Sequence, residues 1–368
     1  MRLSNFDYNL PRELIAQEPM KPRDHSRLLI LDRNSGDIEH KKFYNIVKYF
    51  KKGDVLVMNN SRVFPARLIG KRKESGGKVE VFLLRLYRPH RSRDVALQRL
   101  YCDAGGEAWQ CLIGAKRIKE ELVVLFEQGL KGEVVKNNMD GTYEVSFNKK
   151  GKAMMKVVEK VGQTPLPPYI KRVDIRKQKT DSRNYQTVYA DKNKIGSVAA
   201  PTAGFHFTPE LIQKLKVKGV QIEYITLHVG LGTFAPVKTD DITKHKMHAE
   251  FVEIDKDVLK RIIKAKKEKR RIIAVGTTSV RTLEAVFSEI VNRKSEIEDY
   301  QGWVDIFIYP GYKFKVADAM ITNFHLPKST LLMLVSAMAG KENIDKAYKS
   351  AINKGYRFYS YGDAMFIS

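Results

Sequence analysis

The chain is poor in cysteine and in acid, and it lacks any long apolar run. Of 368 residues only two are cysteines, Cys102 and Cys111. Two cysteines at this spacing match no zinc-ligand pattern and build no disulfide framework. They suit a reducing compartment, so a cytoplasmic protein is expected. The longest apolar run, residues 331–340, is too short to cross a bilayer, so no membrane role is expected. Residues 1–20 carry charges and Pro11 and are not expected to be a signal peptide. G-x-x-x-x-G-K-[ST], G-x-S-x-G and the kinase motif set are missing, which removes P-loop nucleotide hydrolysis, serine-hydrolase chemistry and kinase chemistry. Internal repeats and low-complexity tails are missing too. Acids number 42 against 66 bases, a net charge of +24. That excess favours a polyanionic partner, with RNA or DNA first and an anionic membrane surface second.

What is present divides by texture. From residue 66 to about 148, apolar and polar residues alternate, as in Val79, Val81 and Leu83 after the glycine turn at 75–77, and in Tyr143, Val145 and Phe147 after Asp140-Gly141. Period two with glycine turns predicts hairpins. After residue 151, strand–turn–helix units recur around residues 198–216, 224–236, 271–287 and 320–339. The expected architecture is an α/β main domain, residues 1–66 and 149–368, carrying an inserted small all-β barrel-like domain over 67–148. The segment 55–58 predicts a strand delivering Asn59, Asn60, Ser61 and Arg62 at its C-terminal end, where functional groups gather in α/β sheets. The basic stretch 85–99 reads as a solvated loop, and 257–271 as a helix crowded with Lys260, Arg261, Lys264, Lys267 and Arg271.

Four motifs carry candidate chemistry. In residues 272–284, a β-branched run stops at Gly276 and a helix opens over Thr277, Thr278, Ser279 and Arg281. Free N–H groups and the positive end of the helix dipole make this an anion receptacle. Residues 199–208, A-A-P-T-A-G-F-H-F-T, place Thr202, Gly204 and His206 before an N-cap Thr208 and Pro209. The run L-H-V-G-L-G-T-F-A-P puts Gly230 and Gly232 beside His228, and Pro236 rules out the helix that a dinucleotide fingerprint needs. Residues 319–331 end a strand at Asn323 and follow it with His325 and a Ser329 or Thr330 cap. His245, His248 and Glu250 invite a metal, but i, i+3 and i+5 share no face of a helix or strand, so a substrate-facing acid/base cluster is preferred. Tyr361-Gly362-Asp363 is a further candidate polar turn.

Taken in order, the runs F-D-Y-N-L-P, V-M-N-N-S-R-V-F-P-A-R-L, P-L-P-P-Y-I, Y-Q-T-V-Y-A, A-A-P-T-A-G-F-H-F, L-H-V-G-L-G-T-F-A-P-V, M-H-A-E, A-V-G-T-T-S-V-R-T-L-E, T-N-F-H-L-P-K-S-T-L and Y-R-F-Y-S-Y-G-D-A-M-F resemble the S-adenosylmethionine:tRNA ribosyltransferase-isomerases of queuosine biosynthesis. They extend from Phe6 to Phe366; residues 86–107 depart from the family pattern in being longer and more basic. The resemblance implies transfer of the ribosyl unit of S-adenosylmethionine to an aminomethyl-deazaguanine at the tRNA wobble position. Epoxyqueuosine-tRNA, adenine and methionine would be the products. It implies no cofactor, the S-adenosylmethionine being consumed, and no metal. A monomer is expected. On this reading His206, His325, Glu250, His228 and Asp363 are acid/base candidates. Thr202, Gly204, Gly230, Gly232, Thr277, Thr278, Ser279, Arg281 and Asn323 are binding candidates. The alternatives are an S-adenosylmethionine-dependent RNA methyltransferase, whose usual glycine-rich loop is missing, and a non-catalytic RNA-binding protein.

Overall fold

The computed structural model describes residues 1–86, 107–172, 175–230, 237, 239–290 and 296–368. In chain order the strands are β1 (Arg27–Leu31), β2 (Ile38–Lys42), β3 (Val55–Asn59), β4 (Arg62–Val63), β5 (Arg67–Arg72), β6 (Lys78–Leu86), β7 (Glu107–Gly114), β8 (Val123–Leu125), β9 (Lys131–Asn137) and β10 (Tyr143–Phe147). They continue as β11 (Ile195–Ser197), β12 (Gln221–His228), β13 (Glu250–Ile254), β14 (Ile272–Val275), β15 (Tyr300–Val304), β16 (Ala319–Asn323) and β17 (Ala364–Ile367). The helices are α1 (Gly151–Val161), α2 (Ile175–Asn184), α3 (Pro209–Val217), α4 (Lys256–Lys267), α5 (Gly276–Ile290), α6 (Thr330–Ala339) and α7 (Lys341–Asn353).

Two compact units emerge. The first comprises Met1–Arg62, Pro167–Lys171 and Asn184–Ser368. The second comprises Val63–Leu166 and Arg172–Arg183.

The first unit is built on a nine-stranded sheet in the order β15-β13-β12-β3-β14-β16-β17-β1-β2. Its centre, β12-β3-β14-β16, is parallel throughout. Every residue of β3, β14 and β16 is buried, as expected of strands covered on both faces. Alternation still sorts the side chains. Val55 and Val57 of β3 join one core with Ile272 and Ala274 of β14, whereas Leu56 and Met58 join the other with Ile273 and Val275. The first core is completed by α4, α5, α6 and α7, the second by α3 and the 3-10 helix Phe43–Tyr49. Local signals end the helices as the sequence predicts. Thr208 accepts from the Leu211 N–H with Pro209 at the first helical position, and Ser329, rather than Thr330, accepts from Leu332. Among the central strands, β3, β12, β14 and β16 point their C-terminal ends to one edge of the sheet, which fixes where a site can form.

The second unit contains a closed, all-antiparallel barrel in the order β10-β7-β6-β5-β8-β9, an α/β-plus-barrel architecture as the alternation predicts. Val79, Val81 and Leu83 of β6 point inward and are fully buried. Gly70 and Gly132 sit where an added Cβ would meet Val124 at 2.6 Å and Phe147 at 2.9 Å, so close interior packing requires glycine there. Closure leaves the barrel no free edge. Most of the basic stretch 85–99, and Cys102, lie outside the described residues. Cys111 is buried, which raises its thiol pKa well above the ordinary value.

Candidate functional site

The parallel strands converge on a cleft in the first unit of about 560 Å³, including space open to solvent. After β12 comes Val229. After β14 come Gly276, Thr277 and Thr278, and the end of β16 gives Thr322, Asn323, Phe324 and His325. The 200–203 loop, with Thr202, closes one side, while Tyr169, Tyr359 and Ser360 close another. The rings of Tyr169 and Tyr359 lie 4.7 Å apart, and the Tyr169 hydroxyl meets Ser360 Oγ at 2.7 Å. Tyr359 holds φ 70° and donates its N–H to Phe324 O, so the aromatic wall is fixed to the end of β16 through a backbone conformation few side chains tolerate.

Gly276 opens α5 at φ 85°, directly after β14, which lets the chain turn from strand into helix without a spacer. The Thr278 hydroxyl is buried and unpartnered among the described residues, and the residue lines the cleft. Thr277 lines the cleft beside it, whereas Ser279 and Arg281 are engaged elsewhere. Ser279 Oγ donates to Val275 O at 2.7 Å. Arg281 is 3 % exposed; its Nη1 donates to Glu250 Oε2 at 2.5 Å, and the other Glu250 oxygen accepts from the Gly230 N–H at 3.0 Å. Arg281 is absent from the cleft lining, held by this buried ion pair through Nη1 while its Nη2 has no partner among the described residues. Glu250 answers the same cation instead of presenting a free carboxyl.

His206 and His325 are both fully buried, and burial drives each pKa down to about 3. For His206, Arg357 and Arg23 add to the effect. Desolvation is the dominant cause. His325 lines the cleft; its Nε2 meets Thr322 Oγ1 at 2.8 Å and its N–H donates to Tyr348 Oη at 2.9 Å. The Tyr8 hydroxyl donates to its carbonyl. His206 stands behind the cleft wall, with Asn323 Nδ2 at 3.2 Å from Nε2 and Ser26 Oγ at 2.8 Å from Nδ1. Thr202 Oγ1 donates to Asn323 Oδ1 at 2.9 Å.

Four other predicted residues sit apart from the cleft lining. His228 Nε2 meets Glu253 Oε1 at 2.8 Å and its ring stacks on Phe251. Asp363 accepts from the N–H groups of Arg27 and Arg357, each at 2.9 Å, and so pins a turn to β1. At Gly204 an added Cβ would lie 1.9 Å from Tyr189 Oη, so the close approach expected of a ligand is taken by a tyrosine. Gly230 has open space around its Cα, and Gly232 lies outside the described residues. Of the strand-end polar set, Asn59 spans to β12, donating to Leu227 O and accepting from Leu227 N. His245 packs edge-on against Phe307, and burial together with the neighbouring His248 lowers its pKa. Sequence reasoning missed Tyr169, Thr322, Tyr359 and Ser360; only the stiff proline run before Tyr169 hinted at an anchored aromatic.

An α/β sheet with a closed barrel in a second unit, and a hydroxyl- and histidine-lined cleft at the ends of its parallel strands, defines the class. The chain belongs to the family of queuosine biosynthesis proteins, whose family model matches residues 3–367. It is 48% identical over 369 residues, 100% of both chains, to an S-adenosylmethionine:tRNA ribosyltransferase-isomerase of Desulfitobacterium hafniense. The crystal structure of an S-adenosylmethionine tRNA ribosyltransferase from Thermotoga maritima is 35% identical, with a TM-score of 0.53, covering 99% of this chain and 100% of that one.

Proposed function

We propose that this protein is an S-adenosylmethionine:tRNA ribosyltransferase-isomerase. It moves the ribosyl unit of S-adenosylmethionine onto the aminomethyl-deazaguanine of tRNA and rearranges it to the epoxide-bearing product, with adenine and methionine released. The observation that carries this reading is the end-to-end match to a relative of that name, 48% identical over 100% of both chains. The chemistry of the cleft supports it. A proton must leave the carbon next to the sulfonium, and adenine must depart with a proton. His325 is the histidine that lines the cleft, and one of its ring nitrogens is held by Thr322. Burial keeps the ring unprotonated at neutral pH while lowering its basicity. The methionine carboxylate is assigned to the α5 N-terminus at Gly276, Thr277 and Thr278, where first-turn N–H groups and the Thr278 hydroxyl are available. The Tyr169–Tyr359 wall offers ring faces to a cationic sulfonium or to adenine. The net charge of +24 suits a tRNA acceptor. No cofactor enters the scheme, and the protein acts as a cytoplasmic monomer.

Mass spectrometry of tRNA carrying the precursor base, after incubation with S-adenosylmethionine, tests the assignment. A ribosyl-sized gain is expected. A methyl-sized gain would make the protein a methyltransferase, and no change would leave an RNA-binding protein.

A further inference from the structure

A line of hydrogen bonds leaves the cleft at Thr202 and ends behind the wall at Ser26. Thr202 Oγ1 donates to Asn323 Oδ1 at 2.9 Å, Asn323 Nδ2 donates to His206 Nε2 at 3.2 Å, and His206 Nδ1 lies 2.8 Å from Ser26 Oγ. Asn323, His206 and Ser26 are 4 %, 3 % and 1 % exposed. Thr202 and Asn323 line the larger cleft, whereas Ser26 and His206 line a second, smaller one of about 210 Å³ shared with Arg23, Phe205 and Tyr361. The polarity of the line follows from the orientation of the Asn323 amide, which turns Oδ1 to Thr202 and Nδ2 to His206. An amide N–H can only donate, so Nε2 accepts; a neutral imidazole has one proton, so it sits on Nδ1 and Ser26 Oγ accepts it. Phe43 packs on the ring at 5.0 Å and 33°, leaving it little freedom to turn.

This arrangement occupies the one lone pair through which a neutral imidazole could take a proton. We infer that His206 is a positioning residue rather than the proton acceptor: it fixes the amide of Asn323 in the cleft wall, and Ser26 fixes the tautomer of His206 that makes this possible. Asn323 is then the group that meets the substrate. Its amide has one N–H and one lone pair beyond those used by His206 and Thr202. The assignment rests on the functional reading above for its substrate, but the hydrogen-bond polarity stands without it.

Two measurements decide the matter. The first is transfer to tRNA by variants. His206→Ala and Asn323→Ala should each lower kcat/KM by about 100-fold, and the double variant should fall no more than about threefold further, because one unit is being broken. His206→Gln presents an amide oxygen where Nε2 accepts and has no useful proton affinity; it should recover to within about tenfold of the unmodified rate, with an unchanged pH profile. If His206→Gln is as inactive as His206→Ala, or if the pH profile loses a limb, His206 is the proton acceptor and the inference is overturned. The second measurement needs no turnover and no variant. The ¹⁵N shifts of the histidine rings in the full chain should show His206 neutral with the proton on Nδ1 from pH 5 to 8, where its partners Arg23 and Arg357 keep constant charge. A proton on Nε2, or a titration in that range, would overturn it. Absence of any transfer by the unmodified protein would instead remove the functional reading and leave the tautomer measurement to decide this one.

Discussion

Arg281 Nη1 lies 2.5 Å from Glu250 Oε2, and each side chain is 4 % exposed. Together they close a buried link between the first turns of α5 and the start of β13. Two groups that sequence reading gives separate catalytic and binding roles thus hold one another. Removing one partner of such a pair leaves the other charged, buried and without its counter-ion.

Arg281→Ala is therefore expected to cost about 3–5 kcal/mol of folding stability, read as a shifted midpoint in urea. A double variant with Met at 281 and Gln at 250 should regain more than half of that loss. Equal destabilisation by the single and double variants would mean that the cation, not the pair, matters.

Acidification should weaken the fold through the two cleft-side histidines. Their folded pKa values, about 3, lie below the ordinary 6.5, so the unfolded chain binds their protons first. Stability from this source is fully present above pH 6.5 and is lost as pH falls toward 3, by up to about 1.4 kcal/mol per histidine per pH unit. Urea midpoints measured at pH 7, 6 and 5 should drop accordingly, and His325→Gln should flatten the drop. A midpoint independent of pH over that range contradicts the burial of both rings.

For catalysis, His325→Ala should slow single-turnover transfer by roughly two to four powers of ten while leaving donor and tRNA affinity nearly unchanged. Over pH 5.5–8 the wild-type rate should show no limb from His325, because the ring stays neutral throughout. Transfer by the His325→Ala protein at near the unmodified rate would place the base elsewhere.

Thr278→Val separates binding from folding. The hydroxyl is buried without a partner among the described residues, so its removal should leave stability unchanged or slightly raised. If the hydroxyl meets the donor's carboxylate, affinity for S-adenosylmethionine should fall by about 0.5–1.5 kcal/mol in calorimetry. Unchanged affinity would move the carboxylate away from α5.

The basic stretch 257–271, expected as one helix, is helical only to Lys267, and its cations have different employments. Arg261 is bound to Glu223 at 2.6 Å, Lys266 to Asp318 at 2.8 Å, and Arg271 to Asp54 at 2.6 Å. Lys260 and Lys267 are exposed and without an ion pair among the described residues. Log affinity for tRNA should fall linearly with log salt, by about 0.7–0.9 per phosphate neutralised. Charge reversal at Lys260 and Lys267 should make that slope shallower if α4 faces the RNA. Arg261→Glu should instead lower stability, by opposing buried Glu223.

The strand–turn–helix at Gly276, the Thr208 and Ser329 caps and the alternating strands of the barrel were all legible, because each is set by residues within a few positions of one another. The cleft was legible at the strand ends that supply Asn323, His325, Thr277 and Thr278. What stayed hidden depends on contacts across the chain. Nothing local joins Arg281 to Glu250, Asn323 to His206 or Tyr169 to Ser360. Asp363 reads as a reactive turn until its oxygens are seen accepting backbone N–H groups. The lowered pKa values of His206 and His325 come from the packing around them, which no short window contains.

The place of β17 has a consequence for how the chain acquires its shape. It lies between β16 and β1, pairing antiparallel with the first and parallel with the second. A ribosome delivers residues 364–367 after every other strand of the sheet. Until then the β1–β2 hairpin, made more than 300 residues earlier, has no strand on the free edge of β1. The sheet must wait in two pieces, with the edges of β1 and β16 that β17 will join left unpaired. Folding of this unit is thus set by a late, long-range closure, slow by the general relation between contact separation and rate. During synthesis the exposed strand edges are the surfaces a chaperone would meet.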